Sequence, residues 1–335
     1  MPCYHPITAY RARNPNPSGK YPLIFHLPRS YKAEEVKIPC GQCIGCRLER
    51  SRVWAMRCVH ESQLHKDNCF LTLTYDSSRL ERFGRDYTLV PDDFVRFMKR
   101  FRKNFKDEKI RFFHCGEYGE LNKRPHHHAI IFGFDFPDKR LLAVNHGQRI
   151  YRSQTLERLW PYGYSSIGSV TFESCAYVAR YIMKKQTGDK AEQHYDGRVP
   201  EYVTMSRRPG IAGDWILKYK DDVYNYDHVV LPGGIKCRPA KYYDRIFDEI
   251  DHDKLEKIKK KRKEESFERN KEYMQHVDQV RCAHRKSALE YYPDQSFEYL
   301  EATGKIVPWI RPLEVQEKVK LLQIKKLKRP IEGVL

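Results

Sequence analysis

Arg124–Pro125–His126–His127–His128–Ala129–Ile130–Ile131–Phe132 (RPHHHAIIF) is the stretch from which the rest of the chain is read. An apolar, β-branched run behind a proline, without helical period, predicts a buried strand. Side chains alternate across a strand, so His126 and His128 share one face while His127 points to the other. Two imidazoles at that spacing can hold a divalent metal. The bland alternative is three surface or hydrogen-bonded histidines, which an isolated His-x-His favours.

Upstream, Ile110 to Glu117 predicts a partner strand, joined to His126–Phe134 by a Gly/Asn/Lys/Arg/Pro turn, the usual chemistry of a hairpin loop. Cys69 to Tyr75 (CFLTLTY) predicts a further buried strand. Between these strands, Pro91–Asp92–Asp93 marks a helix start. Phe94, Phe97, Met98, Phe101 and Phe105 then recur at helical spacing, opposite Arg96, Lys99, Arg100, Arg102 and Lys103. Downstream come a helix at about 153–160, a short strand at about 164–171, and a helix capped by Ser174 that runs to about Lys185. This β-α-β-β-α-β-α order predicts an α+β domain with an antiparallel sheet and helices packed on one face.

The last of these helices carries Tyr177–Val178–Ala179–Arg180–Tyr181–Ile182–Met183–Lys184–Lys185. Tyr177 and Tyr181 lie one turn apart on one face, which Lys184 or Lys185 continues. A tyrosine hydroxyl is a poor nucleophile at neutral pH unless a cation or base assists it, and a nearby lysine and metal supply that help. Two core tyrosines on an amphipathic helix are the alternative.

Nearer the start, Cys40–Gly41–Gln42–Cys43–Ile44–Gly45–Cys46 sets three thiols at Cys-x-x-Cys-x-x-Cys spacing, a zinc or iron–sulfur signal with a structural role. Cys3 is the leading candidate for a fourth ligand, with His5 and Cys58 behind it; thiols packed under a loop are the alternative. A helical pattern, Arg47 to His65, follows the cluster. Pattern changes divide the chain into a Cys-containing segment and helix (1–66), an α+β domain (67–240) and a charged, mostly helical region (241–335). The last holds the run Lys259–Lys260–Lys261–Arg262–Lys263, either a solvated helix face or a DNA-contacting arm.

Composition narrows the classes of function. Across 335 residues, 62 Lys+Arg against 44 Asp+Glu leave +18, a surface suited to nucleic acids or anionic membranes. No run approaches a spanning helix, and MPCYHPITAY lacks a signal-peptide pattern, so a cytoplasmic location is expected. In that reducing compartment the ten cysteines are expected as free or metal-bound thiols. The 23 tyrosines and 16 phenylalanines suit base stacking as well as core packing.

Three signatures agree in order and spacing: Phe70–Leu71–Thr72–Leu73–Thr74–Tyr75; Gly116–Glu117–Tyr118–Gly119 leading into Arg124–His128; and Tyr177–Lys184. Together they resemble the HUH endonuclease superfamily, in particular the replication initiators of the Microviridae, small single-stranded DNA bacteriophages of gokushovirus type. The resemblance covers the middle region and the Cys-containing start. In one departure, the middle position of the histidine motif, bulky and hydrophobic in the family, is His127 here.

The resemblance implies an HUH core whose central antiparallel, RRM/ferredoxin-like sheet is flanked by helices. It implies a third, polar metal ligand from a neighbouring strand. Glu117, at the end of the preceding hairpin strand, is the first choice and Glu120 the second. With His126 and His128 this set suits Mg²⁺ or Mn²⁺. Tyr177 and Tyr181, aided by Lys184, would nick single-stranded origin DNA, keep a 5′-phosphotyrosyl link and rejoin ends to release circles. That implies rolling-circle replication in the host bacterial cytoplasm, alongside host polymerase and helicase. The competing readings are a non-catalytic, zinc-containing nucleic-acid-binding protein and a metal nuclease that activates water.

Overall fold

The computed structural model describes residues 3–17, 21–26, 34–82, 87–119, 123–145, 147–184, 190–306 and 312–326. Two compact units emerge, one of residues 47–250 and one of residues 1–46 with 251–328. At the start of the second, β1 (Ile7–Arg11) lies between β2 (Leu23–Ile24) and β3 (Glu34–Ile38) in a small antiparallel sheet, with Ile7 opposite Ile38.

Helix α1 (Ile44–Ser62) leads to β4 (Asn68–Thr74), α2 (Ser77–Arg82) and α3 (Pro91–Asn104). The hairpin β5 (Arg111–Tyr118) and β6 (Pro125–Phe132) follows, then a second hairpin of β7 (Arg140–Asn145) and β8 (Gln148–Arg152). Next come α4 (Gln154–Leu159), β9 (Ser165–Gly168), α5 (Phe172–Lys184), α6 (Lys190–Tyr195) and β10 (Tyr202–Met205). The unit closes with α7 (Gly213–Tyr226), the pair β11 (Val229–Leu231) and β12 (Ile235–Cys237), and α8 (Lys241–Asp248). Among the described residues, β4 to β10 form one antiparallel sheet in the order β10-β5-β6-β4-β9-β8-β7. The fold is therefore α+β with a central antiparallel sheet flanked by helices.

Alternation along β4, β5 and β6 sorts two cores. Leu71, Leu73, Ala129 and Ile131 pack with Phe94, Phe97, Met98 and Phe101 of α3 and Leu156 and Leu159 of α4. Phe70, Phe113, Cys115, Ile130 and Phe132 pack instead with Ala55, Cys58 and Val59 of α1 and Cys175, Val178 and Ala179 of α5. Helices thus cover both faces, which corrects the expectation of helices on one face. The near-continuous apolar runs of β4 and β6 are the physical reason, because a strand with one wet face alternates apolar and polar residues. Each of these large side chains stabilises the fold by about 1.5–3 kcal/mol on burial.

The cap of α5 is also corrected. The Thr171 N–H donates to Ser174 Oγ (2.8 Å) and the Ser174 N–H to Thr171 Oγ1 (3.2 Å). Thr171 therefore caps the helix and Ser174 closes a reciprocal box three residues in.

In the other unit, Asp251 caps α9 (His252–Tyr291) by accepting from the Lys254 N–H at 2.9 Å, and α10 (Phe297–Ala302) and α11 (Pro312–Lys326) follow. Within the basic run on α9, Lys260, Lys261 and Lys263 are exposed while Arg262 is buried. Among the described residues no helix is long and apolar enough to cross a membrane.

Helix α1 is pinned to the sheet by Glu61, which accepts from Arg111 of β5 and from the Ala212 N–H, both at 2.5 Å, in a fully buried setting. Burial raises the Glu61 pKa, but hydrogen bonds from His65, Arg111 and Ala212 outweigh it and hold the carboxyl below its usual range. Stability from such a group is present above the unfolded-state pKa and is lost as pH falls through the folded one. Glu61→Ala leaves the Arg111 charge buried and is expected to cost about 3–5 kcal/mol in urea unfolding at neutral pH. The difference from wild type should shrink as the pH is lowered into the acid range.

Candidate active site

The antiparallel register assembles the site. Glu117 of β5 stands directly opposite His126 of β6, and His128 lies between Cys115 of β5 and Thr72 of β4. These positions share the face that α1 and α5 cover. His128 Nε2 meets Glu117 Oε1 at 3.0 Å, and its Nδ1 meets Thr72 Oγ1 at 3.2 Å. His126 and His128 present parallel rings, 6° apart in plane and 6.3 Å between centroids, the spacing of alternate residues along a strand.

His126 Nδ1 donates to the Arg124 carbonyl at 2.6 Å. A carbonyl only accepts, so the proton sits on Nδ1 and the lone pair on Nε2. Burial, then the neighbouring His128, lowers the His126 pKa to about 4, so the ring is neutral and able to ligate at pH 7. Gly119 closes against this ring: a Cβ there would stand 3.2 Å from His126 Cε1, so any larger residue would press the imidazole aside.

His126, His128 and Glu117 lie on one sheet face and offer nitrogen and oxygen donors without thiols, but only Glu117 and His128 touch, and the three ligand atoms do not all come within 4.8 Å of one another. That set fits Mg²⁺ or Mn²⁺, with coordination sites left for water or phosphate. Glu117 and His128 are already in contact, and His126 faces Glu117 across the ladder. Glu120, the second choice for this role, lies outside the described residues.

His127 points to the opposite face into a buried chain of hydrogen bonds. Its Nε2 meets the Tyr75 hydroxyl at 3.0 Å, and that hydroxyl donates to Asp93 Oδ2 at 2.9 Å. Its Nδ1 meets His114 Nε2 at 3.0 Å, and His114 Nδ1 reaches Thr204 Oγ1 of the edge strand β10 at 2.9 Å. Phe94 stacks flat on His114, with centroids 3.4 Å apart. Burial first, then neighbouring imidazoles, lowers the His127 pKa to about 3 and puts that of His114 well below the usual range, so both rings are neutral. The chain ties α3, β4, β5, β6 and β10 together behind the ligand face. This explains how a polar residue stands where the family pattern has a hydrophobic one.

Tyr177 of α5 is buried, with its ring edge-on to His128 at 5.1 Å and to Phe70 at 6.3 Å. The Arg180 guanidinium carbon lies 5.9 Å from the centroid of the Tyr177 ring, a cation beside this tyrosine that the sequence reading does not name. The side chains of Tyr181 and Lys184 lie outside the described residues, as does Lys185. Cys3, Cys40, Cys43 and Cys46 stand together in the other unit, with ligand atoms all within 4.8 Å of one another. Thr72, His114, Tyr75 and Asp93 were not singled out from sequence. For Thr72 a signal existed, since alternation in Phe70–Leu71–Thr72–Leu73–Thr74 puts its hydroxyl on the ligand face.

The family model described as Replication-associated protein ORF2/G2P matches residues 68–186, the stretch that contains the hairpin and α5. Replication-associated protein VP4 of Bdellovibrio phage phiMH2K is 37% identical over 214 residues, covering 61% of this chain and 65% of that protein, just under two thirds of its length. Replication-associated protein ORF2 of Spiroplasma virus 4 is 34% identical over 250 residues, 71% of this chain and 76% of that protein. Replication-associated protein ORF4 of Chlamydia phage 1 is 32% identical over 219 residues, 62% of this chain and 53% of that protein. No solved structure matches. The chain belongs to the replication-associated proteins of the Microviridae.

His127→Leu leaves His114 and Tyr75 each short of a buried partner, and is expected to lower the unfolding free energy by about 1–3 kcal/mol. His126→Ala, half-buried on the opposite face, should cost less in the same urea titration. A larger loss at His126 would mean that the ligand face, rather than the chain behind it, holds the strands.

Proposed function

We propose that this protein initiates phage DNA replication by nicking and rejoining single-stranded DNA, with Tyr177 and Tyr181 as nucleophiles and Glu117, His126 and His128 as ligands of Mg²⁺ or Mn²⁺. The observation that carries the reading is the Tyr177 ring standing edge-on to His128, on the sheet face that also presents Glu117. The bound ion would polarise the scissile phosphate and offset the charge that builds on it.

The Tyr177 hydroxyl gives up its proton and attacks phosphorus, and the 3′ oxygen leaves to become a free hydroxyl. The DNA 5′ end is then held as a phosphotyrosine. Host polymerase extends the 3′ hydroxyl behind a host helicase, and because the phosphodiester energy is conserved in the link, a later 3′ hydroxyl reverses the reaction and closes a circle. Two nucleophiles one helical turn apart let Tyr181 cleave the next origin copy while Tyr177 holds the first end, or the reverse. Lys184 by sequence, and Arg180 by its place over Tyr177, offset phosphate or phenolate charge.

Incubation of the full chain with labelled single-stranded origin DNA and Mn²⁺ is expected to give a covalent adduct on a denaturing gel. Tyr177→Phe and Tyr181→Phe should each keep some adduct but be impaired in releasing circles, and the double variant should form none. His126→Ala/His128→Ala should fold and bind DNA without nicking it. Cleavage without any adduct would point to activated water, and DNA binding without cleavage to a non-catalytic protein.

A further inference from the structure

Four thiols outside this chemistry are brought to one point by the fold of the N-terminal segment. Strands β1 and β3 run antiparallel with Ile7 opposite Ile38, so the residues just before β1 and just after β3 leave the same end of the sheet. That pairing brings Cys3 to Cys40, whose N–H donates to Cys3 Sγ at 3.2 Å. Gly41 then takes φ +76°, a left-handed turn that suits glycine, and folds the chain back over the sulfur. As a result the N–H groups of Gln42 and Cys43 both point at Cys40 Sγ, at 3.4 and 3.3 Å. The Tyr4 N–H donates to Cys43 Sγ at 3.4 Å, and Cys46 enters from the first turn of α1.

We infer that Cys3, Cys40, Cys43 and Cys46 form a closed tetrathiolate site for one structural zinc ion. All four sulfurs lie within 4.8 Å of one another. A zinc–sulfur bond of about 2.3 Å sets the corners of a tetrahedron about 3.8 Å apart. The Cys3 and Cys43 sulfurs are 3.8 Å apart. An iron–sulfur cluster must enclose several irons and bridging sulfides between its thiolates, and so needs a wider cage. Backbone N–H groups aimed at sulfur stabilise thiolate, and four thiolates so close repel one another unless a cation lies between them. On binding, each thiol passes its proton to solvent as the zinc–sulfur bond forms.

The other two sequence candidates for the fourth ligand are engaged elsewhere. His5 Nε2 pairs with Glu317 at 2.5 Å, and Cys58 is buried in the sheet core of residues 47–250. The small sheet also needs such a tie: among its described strand residues only Ala9 is fully buried, too little apolar burial to hold three strands.

The test is elemental analysis of the full chain, purified under reducing conditions without chelator, and it should find about one zinc per chain. Cys3→Ser should lose that zinc, whereas Cys58→Ser should retain it. Should Cys3→Ser fail to fold, the wild-type protein loaded with Co²⁺ answers alone, through an intense thiolate-to-cobalt band and the visible bands of a tetrahedral site. Wild type without metal, a bound iron chromophore, a disulfide within the cluster under reducing conditions, or full zinc in a folded Cys3→Ser protein would each overturn the assignment.

Discussion

Strand β6 has a structured neighbour on both edges and a packed core on both faces, and the two-residue alternation of its side chains determines what every surrounding element can do. His126 and His128 must appear together on one face and His127 on the other. Antiparallel pairing with β5 and β4 then leaves no freedom about their companions: Glu117 and Thr72 arrive beside the first pair, His114 and Tyr75 beside the third ring. A one-residue slip of β5 against β6 would turn the Glu117 carboxylate to the face packed by α3, and a slip of β4 would do the same to Thr72.

Both faces serve that register in different ways. On one, Phe94, Phe97 and Phe101 bury a large apolar area around the hydrogen-bonded chain from Asp93 Oδ2 to Thr204. On the other, Phe70 and His128 stack at 5.7 Å, and Tyr177 stands edge-on to both. Helix α5, which carries the proposed nucleophiles, is thereby placed by the same aromatic contacts that orient His128. Side chains on paired strands and on a packed helix are held more precisely than loops allow.

The elements read from sequence were those with strong local signals. The β4, β5 and β6 strands, the amphipathic α3 behind Pro91, and α5 lie within a few residues of their expected bounds. Glu117 was legible as the companion of His126 because a hairpin is local and its register follows from its turn. What was not legible depends on distant pairing. Strand β10 joins β5 from far along the chain, the hairpin β7–β8 exposes Leu141, Leu142 and Val144 rather than alternating, and the cover of both sheet faces follows from where α1 and α5 dock. The partners of His127 were hidden for the same reason, since His114, Tyr75 and Asp93 converge only in three dimensions. Cys3 could be named as companion to Cys40, Cys43 and Cys46, but its place beside Cys40 depends on the β1–β3 register.

In the proposed reaction DNA becomes linked to a tyrosine of α5 beside the sheet face of His126, His128 and Glu117. Arg180 lies between the two candidate nucleophiles, so trypsin places Tyr177 and Tyr181 in different peptides. The direct measurement is mass spectrometry of wild-type protein reacted with single-stranded origin DNA and Mn²⁺, then digested with nuclease and trypsin. The account predicts a nucleotide 5′-phosphate on the peptide ending at Arg180, on the Tyr181–Lys184 peptide, or divided between them, with fragment ions assigning it to Tyr177 or Tyr181. A nucleotide attached to a residue outside α5, or none in a sample whose DNA has been cut, would contradict it.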